Sequence, residues 1–322
     1  MRRRLMVLTL AALTACGGGD GPPVRVGVPK GSTLASIGDS LVARGIIANA
    51  RWFRLRGRMQ GVDRRLKPGV YEFAPGSSTA ALLDQLARGD AVRFKITLPE
   101  GATLFDLARR AESVLAIPAD TLLRVARDSA LRREFGIPGA TVEGWLRPVT
   151  FTFTGLGGAR EVLESFLDAR RAHWPADWKT RADAADLDQA DVISLASIIE
   201  AEAMRAAELP RIAAVYRNRL RLGMPLQADP TIQYAYLVDS GARKPRLYNK
   251  DYAYPSPYNS YLHPGLPPTP IGNPSDAAID AVLSPAPGRE LYFVAVGDGT
   301  HLFAVEYAEH LRNIKRVRGP KG

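Results

Sequence analysis

The sequence is poor in cysteine and histidine, and this limits the chemistry open to the chain. Its 322 residues contain one cysteine, Cys16, and four histidines without metal-ligand spacing. It also lacks a glycine-rich phosphate loop and any helix-turn-helix, zinc-finger or RNA-recognition pattern. We therefore expect no metal, no cofactor and no nucleic-acid partner.

A hydrophobic run long enough for a membrane span is also lacking at the N-terminus. Residues 5–15 are apolar and follow a basic M-R-R-R start, but this stretch is too short for a comfortable span. It ends in L-T-A-C, which resembles the lipobox of bacterial lipoproteins. We predict a lipoprotein signal peptide over 1–16, lipidation of Cys16 and a flexible tether over 17–24. The chain would then be a membrane-anchored lipoprotein of the cell envelope, with its folded part outside the cytoplasm (periplasmic in a Gram-negative cell).

Acidic residues are outnumbered by basic ones. The formal net charge of +10 suits an anionic partner such as nucleic acid, lipid headgroups or the acidic cell wall. The arginines are scattered rather than massed, so an ordinary solvated surface explains them equally well. At 322 residues, the chain can hold two or three modules with cores of their own.

One almost wholly apolar segment contains two carboxylates. Residues 191–204 predict a buried helix, in which Glu200 and Glu202 lie roughly 200° apart at ~3.6 residues per turn and cannot share one cleft. The small residues Ala196 and Ser197 share the face of Glu200 and leave room for a substrate. Because burial raises the pKa of a carboxyl group, Glu200 is the candidate general acid. The alternative is that both glutamates lie near the helix end and reach water or an arginine.

A second helix and a polar motif follow this segment. Pro210 is expected to open a helix that ends near Leu222, before a glycine. The next motif, L-Q-A-D-P-T, is expected to be extended or turned. Its candidate hydrogen-bonding side chains are Gln227, Asp229 and Thr231. Asp229 equally fits an ordinary cap of a following helix.

Further downstream, residues 248–274 are rich in tyrosine and proline. Aromatic rings on loops offer flat apolar faces to sugar rings, although such tyrosines also commonly cover a core. Tyr258, Asn259 and Asn273 are the side chains of this segment to which the resemblance described below gives a role in substrate binding. Residues 291–306 then predict a β-hairpin, followed by a helix.

These motifs together resemble the signature of the endolytic murein transglycosylase family (MltG, YceG-like), enzymes that cut peptidoglycan glycan strands. The matching segments are S-L-A-S-I-I-E-A-E, L-Q-A-D-P-T, Y-N-S-Y and G-L-P-P-T-P-I-G-N-P, and the resemblance covers roughly 26–317. Two positions depart from the family pattern: Ser260 replaces a threonine, and Val149 stands where an aspartate is usual. A lipid anchor would be a third departure, because most members are thought to be held by one transmembrane helix.

The resemblance implies an α+β fold, with N-terminal LysM-like βα modules before a mixed α/β YceG-like catalytic domain. It implies a lytic transglycosylase, a carbon–oxygen lyase that cuts between N-acetylmuramic acid and N-acetylglucosamine within strands and leaves 1,6-anhydro ends. Glu200 matches the position of the family's catalytic glutamate, and the polar residues named above would orient the sugars. Implied partners are the glycan strands, the membrane through the lipid anchor, and penicillin-binding proteins or other wall synthases, since the cut would terminate nascent strands.

The first half of the chain contains an internal repeat. G-V-P-K-G-S-T-L at 27–34 parallels T-L-P-E-G-A-T-L at 97–104, and each copy predicts a strand, a Pro-x-Gly turn, a Ser or Thr cap and an amphipathic helix. The LysM-like part either binds carbohydrate or only positions the active site. The predicted domains are a LysM-like subdomain (25–95), a second repeat-related and helical linker region (96–184) and the catalytic domain (185–322).

Two other functions fit parts of the sequence. G-D-S-L at 38–41 and D-G-T-H at 298–301 spell the motifs of GDSL esterases. The spacing around Ser40, however, predicts a helix instead of the end of a buried strand, which such a serine needs. The second alternative is a non-catalytic, wall-binding envelope lipoprotein with the same fold. Substrate binding without anhydro products would identify it.

Overall fold

The computed structural model describes residues 21–319, which form two compact units. The first unit holds 21–94 and 153–156, and the second holds 95–152 and 157–319. Helices and strands are both present, which confirms the mixed α+β class. The predictions for the signal peptide and for Cys16 lie outside the described residues.

The first unit combines a two-stranded antiparallel sheet with three helices. Its elements are β1 (Val24–Val28), α1 (Leu34–Ala43), α2 (Ala50–Met59), β2 (Gly69–Phe73) and α3 (Thr79–Arg88). In the sheet, Val26 lies opposite Tyr71. Successive strand side chains point to opposite faces, so that only every second residue of β2 is buried. These buried side chains form one core with Leu41 and Phe53 of the first two helices.

The second unit contains most of the helices and all of the residues proposed above for catalysis or sugar binding. Its elements are β3 (Phe94–Thr97), α4 (Leu104–Leu115), α5 (Ala119–Val125), α6 (Ser129–Glu134), β4 (Thr150–Phe153), α7 (Ala159–Ala172), α8 (Trp178–Asp183), α9 (Gln189–Glu202), α10 (Leu209–Arg221), α11 (Asp229–Ser240), α12 (Asp276–Leu283), β5 (Tyr292–Ala295), β6 (His301–Ala304) and α13 (Tyr307–Arg318). The pairs β3–β4 and β5–β6 form two-stranded sheets, and the second pair confirms the predicted hairpin before a helix. None of the helices within 21–319 is long and apolar enough to cross a bilayer.

The internal repeat is confirmed as two strand–turn–helix units, β1–α1 and β3–α4. Each helix starts at a threonine, Thr33 or Thr103, whose hydroxyl accepts a hydrogen bond from the third backbone N–H of the helix. The side chain of the residue at that position, Ser36 or Asp106, accepts a hydrogen bond from the backbone N–H of the threonine, which completes a capping box. Each turn contains a glycine with positive φ, Gly31 (83°) or Gly101 (69°), a conformation that side chains with a Cβ rarely adopt.

Helix α9 passes through the core of the second unit. Residues 192–199 are buried without interruption, so that every side of the helix is covered, as its nearly all-apolar sequence predicts. The helix starts at Gln189, directly after the N-cap Asp188, and ends two residues earlier than the sequence indicated, since Ala203 is already extended. The expectation that Ala196 and Ser197 leave room for a substrate is wrong. Both are buried, and the Ser197 hydroxyl accepts a hydrogen bond from the backbone N–H of Ile271 at 3.0 Å.

Candidate active site

The end of α9 directs its two glutamates into different surroundings. Helix α10 packs against α9, starts at Leu209 with Pro210 in its first turn, and confirms the predicted helix within one residue. The side chain of Glu202 lies on the side of α10 and of the loop that leads to α11. The side chain of Glu200 lies on the side of α12. Both glutamates are half-buried, so that burial alone does not separate their roles.

Glu202 has the properties of a general acid. The Tyr216 hydroxyl of α10 donates a hydrogen bond to its Oε1 at 2.9 Å. Loss of hydration, with a smaller contribution from the charge of Asp229, raises the pKa of Glu202 to about 7, although the Tyr216 bond and Arg219 act in the opposite direction. A carboxylic acid with a pKa near neutrality can hold a proton at physiological pH and can also release it.

Asp229 is held in place by two tyrosines from the Tyr-rich segment. The Tyr261 hydroxyl donates to Oδ1 at 2.6 Å, and the Tyr252 hydroxyl donates to Oδ2 at 3.4 Å. The N-cap of α11 is Ala228 and not Asp229, so that the ordinary-cap interpretation of this aspartate is wrong. Burial and the bond to Asp229 raise the pKa of Tyr261, which therefore stays protonated as a donor. Asp229 is thus an oriented carboxylate that acts electrostatically on Glu202.

The loop before α11 carries an exposed side chain on a strained backbone. Gln227 is exposed and has a φ of 53°, in the left-handed region that residues other than glycine seldom occupy. Buried Arg219 fixes this loop, because its guanidinium donates to the carbonyls of Leu226 (2.7 Å) and Leu291 (2.7 Å). Strain of this kind persists where the surroundings enforce it, and it concentrates at functional sites.

Glu200 connects two helices. Its Oε2 accepts hydrogen bonds from the backbone N–H (3.0 Å) and the hydroxyl of Ser275, the N-cap of α12. On its other side lies Gly101 of the second repeat, where a Cβ would approach the Glu200 side chain to 3.4 Å. The arrangement ties the repeat turn, α9 and α12 together. The Glu200 carboxylate is therefore hydrogen-bonded to the backbone and side chain of Ser275.

Three of the predicted sugar contacts are buried, and their polar atoms bond within the protein. Thr231 donates to the Ala228 carbonyl at 2.7 Å, and Asn259 donates to the carbonyls of Tyr252 and Tyr254. Asn273 accepts from the Leu146 N–H at 3.0 Å and donates to Glu143 at 2.9 Å. All three side chains therefore hold neighbouring protein segments together. Gln227 is exposed, whereas Asp229 and Tyr258 are half-buried, and the Tyr258 hydroxyl contacts that of Thr269 at 2.9 Å.

Glu143, which is fully buried, was not among the site residues predicted from the sequence. Its carboxyl oxygens accept hydrogen bonds from the Leu104 N–H at 3.0 and 3.1 Å, the Tyr234 hydroxyl at 3.1 Å and Asn273. Burial raises its pKa to about 7, although the bonds from Leu104 and Tyr234 oppose the shift. Only the fold reveals that this glutamate joins α4, α11 and the loop before α12, because its partners lie far away in the sequence.

The esterase interpretation is wrong, because its residues do not form a triad. Ser40 lies inside α1 rather than after a strand. The imidazole of His301 pairs through Nδ1 with Glu208 at 2.7 Å, whereas the Asp298 carboxylate accepts from Thr300 within the hairpin turn. The histidine therefore lacks the aspartate that would orient it for a serine nucleophile.

The sequence model of the YceG-like family matches residues 26–316, which include both glutamates and the segments around them. The chain belongs to the YceG-like family. A similar curated protein is the endolytic murein transglycosylase of Bacillus subtilis strain 168, which is 28% identical over 302 residues, with 89% of this chain and 82% of that protein covered.

Two further comparisons support the same relationship. The endolytic murein transglycosylase of Streptococcus pneumoniae D39 is also 28% identical, over 90% of this chain but only 58% of that longer protein. A crystal structure of a YceG-like protein from Listeria monocytogenes superimposes with a TM-score of 0.63 at 28% identity, covering 90% of this chain and 98% of that one. The YceG-like fold thus extends over both units of the described chain.

Proposed function

We propose that the chain is an endolytic lytic transglycosylase that cuts peptidoglycan strands between N-acetylmuramic acid and N-acetylglucosamine. The observation that carries the proposal is the arrangement of two carboxylates held by tyrosines: half-buried Glu202, which accepts from Tyr216, and Asp229, which accepts from Tyr261. Burial, with a contribution from the charge of Asp229, raises the pKa of Glu202 to about 7. The similarity to proteins named endolytic murein transglycosylases supports the same activity.

We place the acid at Glu202, although the sequence motif pointed to Glu200. An acid catalyst is most effective when its pKa lies near the working pH, and Glu202 meets this condition. The carboxylate of Glu200 accepts two hydrogen bonds from Ser275, which supports a positioning role at the junction of α9 and α12. Glu200 remains the alternative acid, and matched substitutions of both glutamates distinguish the two roles.

The proposed reaction needs one acid and no water. Protonated Glu202 donates its proton to the oxygen that links the two sugars, and the bond from that oxygen to C1 of the muramic acid breaks. Ionised Glu202 then removes the proton of the C6 hydroxyl, whose oxygen bonds to C1 and closes the 1,6-anhydro ring. The proton returns to Glu202, so that the enzyme is regenerated. The negative charge of Asp229 stabilises the cationic character that develops at C1.

The other candidate residues divide into two groups in this proposal. Those with exposed or half-buried side chains are proposed to contact the sugars directly: Gln227, Asp229 and Tyr258. Those that are fully buried are proposed to hold the loops that present them: Thr231, Asn259 and Asn273. The hydroxyls of Tyr216 and Tyr261 position the two carboxylates.

We extend the proposal to the rest of the chain. Residues 25–95 are proposed as a LysM-like subdomain and 185–322 as the catalytic domain. The repeat-related and helical region between them, 96–184, is proposed to complete the catalytic unit, because all of it except 153–156 lies in one compact unit with 185–319. Lipidation of Cys16 would hold the enzyme on the outer side of a membrane, where it would terminate the strands that wall synthases extend. A cut within the strand fits this role, because it releases a growing strand from its synthase.

The test is the chemical nature of the ends produced from purified glycan strands. Digestion is expected to give fragments of intermediate length that carry 1,6-anhydro-muramic acid, each lighter by one water than the hydrolysis product. Reducing ends would assign a hydrolase in which Asp229 is the second carboxylate. A digest that contains disaccharides and no longer fragments would contradict cleavage within strands.

The alkaline limb of the pH–rate profile is expected to report the loss of the proton from Glu202. The acid must be protonated, so that kcat/KM should fall as the pH rises above about 7. Asp229→Asn removes a charge that raises the pKa of Glu202 and should move the limb to lower pH. Tyr216→Phe removes a hydrogen bond that lowers this pKa and should move the limb to higher pH. Shifts in the same direction, or none, would show that another group controls the rate.

The strained backbone at Gln227 gives a separate prediction. Gln227→Gly and Gln227→Ala both remove the exposed side chain and should reduce activity to a similar degree. Glycine tolerates the positive φ, so that the glycine variant should be about 1 kcal/mol more stable than the alanine variant in urea unfolding. Equal activity of both variants and the unmodified protein would contradict a sugar contact by this side chain.

A further inference from the structure

Helix α2 of the first unit has an apolar stripe on the side that faces away from its own core. Phe53 and Gly57 are buried against the unit. On the opposite side lie Trp52, Leu55 and Met59, which are 54%, 52% and 80% exposed. At ~3.6 residues per turn these three side chains fall within a sector of about 60°. An exposed tryptophan, leucine and methionine on one stripe are a typical sign of an interaction surface.

The same helix is strongly basic. Its ten residues, A-R-W-F-R-L-R-G-R-M, include four arginines and no acidic residue. Arg51 and Arg58 flank one edge of the apolar stripe and Arg56 flanks the other edge. Within the described residues, none of the four arginines forms an ion pair with an acidic side chain. The positive charge next to the stripe is therefore available to a partner outside the chain.

We propose that this face of α2 binds the surface of an anionic phospholipid bilayer. The stripe would enter the boundary between headgroups and acyl chains, and the flanking arginines would contact the phosphates. A short helix with arginines beside tryptophan and leucine is the pattern of helices that lie in a membrane interface. A protein partner would need acidic residues around an apolar groove, whereas an anionic bilayer supplies both components over its whole surface.

The position of α2 in the chain agrees with a membrane partner. Strand β1 starts at Val24, eight residues after Cys16. A fully extended segment of this length reaches about 28 Å at most. If Cys16 is lipidated as the sequence predicts, the first unit stays within this distance of the bilayer, and a weak surface contact is then populated because its effective concentration is high.

The proposal is tested with the chain from residue 17 onward, which includes every described residue and lacks Cys16. The probe is phosphatidylcholine vesicles with and without phosphatidylglycerol, in a flotation assay at low salt. We expect binding only to the anionic vesicles, with loss of binding as salt is added. Trp52→Ala should weaken binding about tenfold or more through lost apolar contact. Arg51→Glu combined with Arg58→Glu should weaken it at least about 25-fold, at roughly fivefold per arginine.

Helix α13 provides matched controls with the same changes in charge and aromatic content. Arg312→Glu combined with Arg316→Glu, and Tyr307→Ala, alter exposed residues of another basic helix. These variants should bind vesicles nearly as well as the unmodified chain. Equal losses from both helices would assign the binding to diffuse charge and overturn the proposal. Loss of binding to purified sacculi, with vesicle binding intact in the α2 variants, would instead assign this face to the glycan. Circular dichroism verifies that each variant is folded.

Discussion

Glu202→Gln is expected to reduce the rate of strand cleavage by about a thousandfold, because glutamine cannot transfer a proton and general acid catalysis contributes about that factor. Binding of glycan strands should change little, since the amide keeps the shape of the protonated acid. The change should also leave the protein folded. Burial raises the pKa of Glu202 from 4.5 to about 7, so that the ionised form lowers stability as the pH rises through this interval. An uncharged glutamine removes that cost, and the variant should be at least as stable as the unmodified protein above pH 7.

Glu200→Gln is the matched comparison, because it is the same substitution two residues earlier on the same helix. The amide oxygen of glutamine can still accept the bonds from Ser275. We expect a loss of less than about tenfold in rate, which is typical of a positioning role without proton transfer. Single-turnover cleavage of defined strands measures both variants. A large loss of rate for Glu200→Gln and a small one for Glu202→Gln would show that Glu200, the residue that the motif indicated, is the acid.

Glu143→Ala is expected to destabilise the second unit by about 4 kcal/mol. The substitution leaves the Leu104 N–H and the Tyr234 hydroxyl without an acceptor and removes one of the two acceptors of the Asn273 amide, at roughly 1–3 kcal/mol for each lost bond. Urea unfolding measures the loss. Because Asn273 and the start of α4 border the Glu200 side of the site, activity should fall together with stability.

Glu134→Ala provides the control for this prediction. Glu134 forms an exposed ion pair with Arg160, and such pairs contribute less than about 1 kcal/mol. The sign of the pH dependence gives an independent check. Burial raises the pKa of Glu143 to about 7, so that the folded state binds an extra proton and stability should decrease from pH 4.5 to 7. Glu143→Gln should weaken this dependence. A stability that increases over the same interval would contradict the role of this buried acid.

The starts of several helices were predictable from the sequence because their signals are local. Thr33 and Thr103 cap helices through bonds to residues three positions away, and Pro210 can open a helix because the first turn needs no donor at that position. The hairpin near the C-terminus depends on an equally local Asp-Gly turn. The assignment of the chain to its family rests on such short segments as well, which explains why it was possible before any contact was known.

The different surroundings of Glu200 and Glu202 were not predictable, because they depend on contacts between distant segments. The sequence suggested that small residues beside Glu200 leave space, but Ile271, more than seventy positions away, fills it. Glu202 owes its properties to Tyr216 on the next helix and to Asp229, which Tyr261 orients. No periodicity within α9 indicates which face meets these partners, since both faces are apolar and buried.

The most direct test of the account is cleavage of purified glycan strands in water enriched in oxygen-18, with mass analysis of the new ends. The unmodified chain should give anhydro ends without oxygen-18, because the C6 hydroxyl of the substrate replaces water as the nucleophile. Glu202→Gln should give almost no new ends, and Glu200→Gln should give the same unlabelled anhydro ends. Ends that carry one oxygen-18 atom would contradict the account, since they would show that the enzyme is a hydrolase.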